Sequence, residues 1–185
     1  MGAFKPLLPF GDKTVIDYCI DYLREGGIEN IVVVLGHRAN EIREHLRNVT
    51  SAINPDPTSE MGASIAVGIH ALSETTKAVV IALADHPAIP STVVEKLIAE
   101  WRNGARIVIP TWQDRGGHPI LIDLSFKTDL SNLDQSGGLR ELLKNHPQDV
   151  KRVPQDSPFV ARDMDTWDDY LALHEDAFGH PPRNV

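Results

Sequence analysis

Six short segments of this sequence carry residue types and spacings that could do chemistry. In Leu83-Ala84-Asp85-His86-Pro87 a carboxylate directly follows an apolar run, and a proline fixes the turn behind it. A carboxylate so placed can hold a hard divalent cation, which in turn holds substrate phosphates. Asp85 could instead cap the next turn. Arg162-Asp163-Met164-Asp165-Thr166 sets two carboxylates two residues apart. They could meet the same cation as Asp85, or Asp165 could cap the following helix and leave Asp163 solvated. Near the N-terminus, Met1-Gly2-Ala3-Phe4-Lys5 places a lysine shortly after a glycine, which suits phosphate. The bland alternative is a flexible tail with a surface lysine. In Glu60-Met61-Gly62-Ala63-Ser64, small residues at a helix start let backbone N–H groups approach an anion. The same small residues would equally serve close helix packing.

Arg115-Gly116-Gly117-His118-Pro119 combines a tight turn with a histidine at a strand start, either a substrate contact or a plain hairpin. Asp134-Gln135-Ser136-Gly137-Gly138-Leu139-Arg140 reads as an anion-binding loop before a helix or as an ordinary helix start. Cys19 falls on an apolar helical stripe and is read as core rather than as a catalytic thiol.

These residues need a scaffold, and apolar runs of strand length alternate with helical patterns along the whole chain. Thr14–Glu25 reads as a helix with Val15, Ile16, Cys19, Ile20 and Leu23 on one stripe. Thr14 and Asp17 match a capping box, and Gly26-Gly27 ends the helix. Further helices are expected over Ala39–Leu46, Met61–Leu72, Pro90–Trp101, Gly138–Asn145 and Thr166–Ala177. Ile31–Leu35 and Ala78–Leu83 are continuous runs of the kind that is buried on both faces of a sheet. Weaker strands are expected at Ser51–Asn54, Ile107–Ile109, Pro119–Ile122 and Val150–Val153. The alternation predicts an α/β domain with a largely parallel sheet. Ligands in such sheets bind beyond the carboxyl ends of the strands. That rule points at Gly36-His37-Arg38, Asp85-His86-Pro87 and Asp163-Met164-Asp165.

The chain has 185 residues, 42% of them hydrophobic and 24% charged, which fits one globular domain. A single cysteine excludes an internal disulfide framework and points to a reducing, cytoplasmic compartment. No apolar run reaches the length of a membrane span, and no signal-peptide pattern opens the chain. A net charge of −8 argues against nucleic acid as the main partner.

Taken in order, MGAFKPLL, VVVLGHRANEI, EMGASIAVGI, LADHPAI, RGGHPILI, SGGLRELL and DMDTWDDY resemble the MobA-like nucleotidyltransferases, in the molybdenum-cofactor cytidylyltransferase branch. LADHPAI is similar to the family's LADQP motif with His86 in place of glutamine. DMDTWDDY is similar to DIDTPEDY with Trp167 in place of proline. The resemblance runs from Met1 to about Leu173 and implies a three-layer, Rossmann-like, mostly parallel sheet of the nucleotide-diphospho-sugar transferase type; the chain reads as one domain over residues 1–178 with a loose tail over 179–185. It implies transfer of a nucleoside monophosphate, CMP from CTP being favoured, to a phosphorylated acceptor of the molybdopterin type, with loss of pyrophosphate. Guanylyl transfer and a sugar-phosphate acceptor stay open. Mg²⁺ would be held by Asp85 with Asp163 or Asp165. Lys5 would meet the phosphates, Gly2, Gly62 and Ser64 would line the nucleotide, and Gly117, His118 and Pro119 would lie on the acceptor side. A molybdenum enzyme or its maturation factor is the implied docking partner. The family signature, roughly LAAGxSxRMGxxK, begins before the MG at which this sequence starts. The expectation is therefore that the first strand and most of the Gly-rich loop are absent from this chain, as in a fragment or a mis-assigned start. A nucleotide-sugar glycosyltransferase of related fold and a non-catalytic cofactor-binding or handover protein are the competing readings.

Overall fold

Thr14 starts the first helix by the capping pattern read in the sequence. Its backbone N–H donates to Asp17 Oδ2 at 3.1 Å, and the Asp17 N–H returns to Thr14 Oγ1 at 3.4 Å. The computed structural model describes residues 4–133 and 137–182. Gly2 and the loop residues Asp134, Gln135 and Ser136 lie outside these. In chain order the elements are β1 (Pro9–Phe10), β2 (Lys13–Thr14), α1 (Val15–Glu25), β3 (Val32–Leu35), α2 (Ala39–His45), β4 (Thr50–Ile53), α3 (Met61–His70), β5 (Ala78–Ile81) and α4 (Ser91–Arg102). They continue with β6 (Ile107–Trp112), β7 (Arg115–Gly116), β8 (Ile120–Asp123), α5 (Lys127–Ser131), α6 (Gly138–Asn145), β9 (Val150–Pro154) and α7 (Trp167–Phe178). The β1–β2 hairpin and α5 were not expected. Two-residue strands and a five-residue helix are too short to show a hydrophobic period.

The expected α/β sheet is present. β3 pairs with β4 in parallel, and β6 pairs with β9 in parallel. β8 runs antiparallel to both β5 and β6, which makes the sheet mixed. Alternation along the strands sorts side chains into two faces. Ile107, Ile109, Ile120 and Ile122 share one core with Ile65 and Ile69 of α3, Leu130 of α5 and Leu142 of α6. Val108 and Leu121 face the other way and pack with Leu97 of α4. Two helical layers therefore sandwich the sheet. α1 lies beside α4, and the approach is close. A Cβ added at Gly26 would stand 2.5 Å from the Val94 side chain.

The strands do not form one continuous ladder. Among the described residues β3–β4 and the five strands from β5 onward are separate sheets, and none pairs with the remaining edge of β3 or of β5. The residues Val32, Val33 and Val34 in β3 and Ala78, Val79 and Val80 in β5 are accordingly only half-buried. Among the described residues no helix is long and apolar enough to cross a membrane.

Candidate functional site

β5 ends at Ile81, and the chain then turns through Asp85 before Pro87 leads toward α4. The turn is anchored from below, where the Cys19 thiol donates to the Leu83 carbonyl at 3.8 Å. His86 is only 5% exposed. Its Nε2 stands 3.7 Å from Asp85 Oδ1. The His118 ring lies beside it, with ring centres 5.6 Å apart. Asp85 Oδ1, His86 Nδ1 and His118 Nδ1 are all buried without a hydrogen-bond partner. Buried polar atoms left unpaired are costly, so three in one place mark a site that a ligand would complete. Burial, and then the neighbouring His86, hold the His118 imidazole below its ordinary pKa. Burial first, and then the Asp85 charge, push the Cys19 thiol well up, which fits core rather than nucleophile.

The Asp163-Met164-Asp165 segment is extended, and its alternation explains the placement of both carboxylates. Met164 is fully buried among Leu8, Phe10, Val15, Tyr170 and Leu173. Asp163 and Asp165 are therefore both turned outward and exposed. The Thr166–Asp169 capping box starts α7 directly behind them, with Thr166 N–H donating to Asp169 Oδ2 at 2.8 Å and Asp169 N–H donating to Thr166 Oγ1 at 3.1 Å. The cap is thus Thr166, and Asp165 is free for another role. It uses that freedom in an ion pair, Lys5 Nζ to Asp165 Oδ1 at 3.0 Å. Lys5 opens a short 3₁₀ turn over Lys5–Leu7 that delivers the chain to β1.

Gly62 lies buried in the first turn of α3. Ser64 is already engaged, because the nearly buried Asn54 donates its Nδ2 to Ser64 Oγ and to Ser59 Oγ, each at 3.0 Å. Asn54 fixes the loop after β4 to α3, a role with no signal in its sequence neighbourhood. Gly117 has a backbone reason to be glycine. A Cβ there would come within 2.0 Å of the Val160 carbonyl oxygen. The same carbonyl accepts from the His118 N–H at 2.8 Å, so the segment of His118 and Pro119 that leads into β8 is clamped to the 158–161 turn. His86 was visible in the sequence only as part of LADHP. Its burial against His118 joins the two motifs.

Among the described residues no group of three or more His, Cys, Asp or Glu is gathered closely enough to hold an ion. Asp85, Asp163 and Asp165 do not form a ready-made cage. Their chemistry does suit a hard divalent cation of the Mg²⁺ type, which needs only one or two carboxylates beside substrate phosphates and water. The orphaned, buried Asp85 Oδ1 and an outward carboxylate of Asp163 or Asp165 are the oxygens that could serve.

The three-layer α/β sandwich, with Asp85 beyond the carboxyl end of β5, defines an α/β domain with its candidate ligand site at that end of the sheet. The chain belongs to the MobA-like NTP transferase domain family, whose family model matches residues 1–150. It is 28% identical over 172 residues to the nicotine blue oxidoreductase of Paenarthrobacter nicotinovorans, covering 88% of this chain and 83% of that protein. The structure is similar to the Mycobacterium sp. strain JC1 homologue of Mycobacterium tuberculosis Rv0371c, with a TM-score of 0.83, 28% identity and coverage of 96% of this chain and 89% of that one. It is also similar to Rv0371c of M. tuberculosis H37Rv in complex with manganese, with a TM-score of 0.79, 25% identity and coverage of 94% and 93%.

Proposed function

We propose that this chain transfers a nucleoside monophosphate, CMP from CTP, to a phosphorylated acceptor of the molybdopterin type in the cytoplasm, releasing pyrophosphate. The observation that carries the reading is the buried, unpartnered Asp85 carboxylate oxygen beyond β5, in a family of NTP transferase domains. In the reaction an acceptor phosphate oxygen bonds to the α-phosphorus, and the bond to the β-phosphate oxygen breaks. Such transfers need positioning and neutralisation of charge more than a protein nucleophile. Asp85 with Asp163 or Asp165 would hold Mg²⁺, which neutralises phosphate charge when bound. A homologous structure in complex with manganese supports a divalent cation. Lys5 would leave Asp165 for the triphosphate, Gly2, Gly62 and Ser64 would line the nucleotide, and Gly117, His118 and Pro119 would present the acceptor. A molybdenum enzyme or its maturation factor would receive the product.

The test is Mg²⁺-dependent pyrophosphate release with each of the four NTPs and molybdopterin. Asp85→Asn should lower turnover at least 100-fold while the circular-dichroism spectrum stays unchanged. Retained turnover in that variant overturns the metal assignment. A second reading, a cofactor-binding or handover protein, is favoured by the oxidoreductase name of one relative and by the Lys5–Asp165 pair that occupies two of the needed side chains. Under it, Asp85→Ala leaves acceptor binding nearly intact and no NTP yields pyrophosphate.

A further inference from the structure

His174 is the least exposed histidine among the described residues, at 1%, and lies outside the candidate site. It stands on α7 among Phe10, Tyr170, Phe178 and His180, whose ring centres are 5.4, 6.3, 4.7 and 5.4 Å from its own. Both of its ring nitrogens meet backbone. Nε2 accepts from the Gly11 N–H at 3.2 Å, and Nδ1 lies 2.8 Å from the His180 carbonyl. A backbone N–H can only donate and a carbonyl can only accept. These two partners therefore fix the ring as neutral, with its proton on Nδ1. Gly11 opens the two-residue turn between the paired Phe10 and Lys13, where the ladder offers its N–H no partner. The turn is pressed on the same cluster, since a Cβ at Gly11 would stand 2.6 Å from Tyr18 Oη and 2.7 Å from the Phe178 ring. His174 thus closes the β1–β2 hairpin onto α7. From the hairpin the packing runs toward the candidate site, because Leu8 and Phe10 share one cluster with Met164, the residue between Asp163 and Asp165.

We propose that His174 is an acid-sensitive latch: a proton taken up at Nε2 turns the acceptor of Gly11 into a donor, releases the β1–β2 hairpin and loosens the packing under Met164. One proton from solvent adds to the Nε2 lone pair, and the Gly11 N–H is left facing another N–H in a buried place. The groups around the ring are already engaged. The hairpin brings Asp12, which accepts from Tyr18 Oη of α1 at 2.9 Å, and Lys13, paired with Asp21 of α1 at 2.7 Å. The tail brings the His180 ring, whose Nδ1 lies 2.8 Å from the Pro181 carbonyl. On α7 itself Tyr170 donates its hydroxyl to the Pro9 carbonyl, Asp169 caps the helix, Asp176 pairs with Arg162, and Glu175 is exposed. Among the described residues no carboxylate pairs with a His174 ring nitrogen. The surrounding aromatic rings carry no lone pair to take a second N–H. The inference does not rest on the nucleotidyl-transfer reading.

Imidazole nitrogen NMR and residue-resolved amide exchange on the 185-residue chain test it together. Near neutral pH the His174 ring should carry its proton on Nδ1. As pH falls from about 7.5 to about 5, the range in which histidine charges, the Gly11 protection factor should drop roughly tenfold or more, with the same midpoint as the His174 ring. The Met164 methyl signal should shift at that midpoint, and the Val108 amide should keep its protection. His174→Gln offers Gly11 an oxygen and His180 an N–H without a titratable group, so it should keep Gly11 protected across the whole range. His180→Ala removes the neighbouring ring but keeps its carbonyl, and should leave the response in place. A proton on Nε2 at neutral pH, a constant Gly11 protection factor, or loss of Val108 protection together with Gly11 overturns the latch. So does a His174→Gln chain that opens with acid, or a response that vanishes in His180→Ala, which assigns the titration to His180. A Met164 signal that stays fixed while Gly11 opens overturns the link to the Asp163–Asp165 segment. Should His174→Gln fail to fold, the ring state and the shared midpoint in the unaltered chain decide.

Discussion

Gly117 stands where a side chain has no room, since its Cβ would meet the Val160 carbonyl oxygen at 2.0 Å. The sequence left Gly117 open between a substrate contact and a turn. The structure gives it a packing reason that only the folded 158–161 turn reveals. Gly117→Ala must push strand and turn apart, at a cost of about 1–3 kcal/mol typical of overpacking. Chemical denaturation should show the midpoint fall by that free energy divided by the m-value, with an unchanged slope. His118, next along, makes a pH prediction. Its folded pKa lies below the ordinary value because of burial and then His86. The unfolded state therefore binds the proton more readily. The stability tied to a neutral His118 is complete above about pH 6.5 and is lost as pH falls through the lower folded value. Melting curves of the protein should thus fall more steeply with acid than those of His118→Asn. Asp85 and Asp163 were both legible as candidates from their spacing. What one sequence could not show is that Met164 between the aspartates is fully buried, or that Lys5 spends its charge on Asp165.

At the scale of elements, the helices were legible because their start signals are local. Thr14 with Asp17 and Thr166 with Asp169 both form the reciprocal hydrogen bonds their spacing predicts. Thr14→Ala and Thr166→Ala should each cost about 1 kcal/mol, read from denaturant midpoints. Thr14→Ala should cost more, because Thr14 Oγ1 also lies 3.2 Å from His45 Nε2 on α2. Strand partners were not legible in the same way. Apolar runs mark β3, β5 and β6, yet nothing local in Ile120–Asp123 says that it inserts antiparallel between β5 and β6. Pairing is decided by long-range packing, which the alternation of one strand cannot encode. The run at Ala78–Leu83 likewise ends as a strand at Ile81 and passes into the loop that carries Asp85.

At the scale of the whole molecule, β3–β4 and the larger sheet are tied together through helices rather than through a ladder. α1 contributes Ile16 and Ile20 to the core around Leu35, and Cys19, Tyr22 and Leu23 to the core around Val93 and Val94. The smaller sheet should consequently open at lower free energy than the larger one. Native-state exchange should find the Val33 amide less protected than that of Val108, whose strand is flanked on both sides. Equal protection would mean that the helices, α1 and α3 together, couple the halves fully. That arrangement also gives the lone cysteine a use unrelated to catalysis. Cys19 is the single thiol of the chain, buried beneath the Asp85 loop, its proton held by burial and given to the Leu83 carbonyl. A thiol in that state reacts with an alkylating reagent only when the turn above it lifts. Its labelling rate is a one-site clock for how often the floor of the Asp85 turn comes undone.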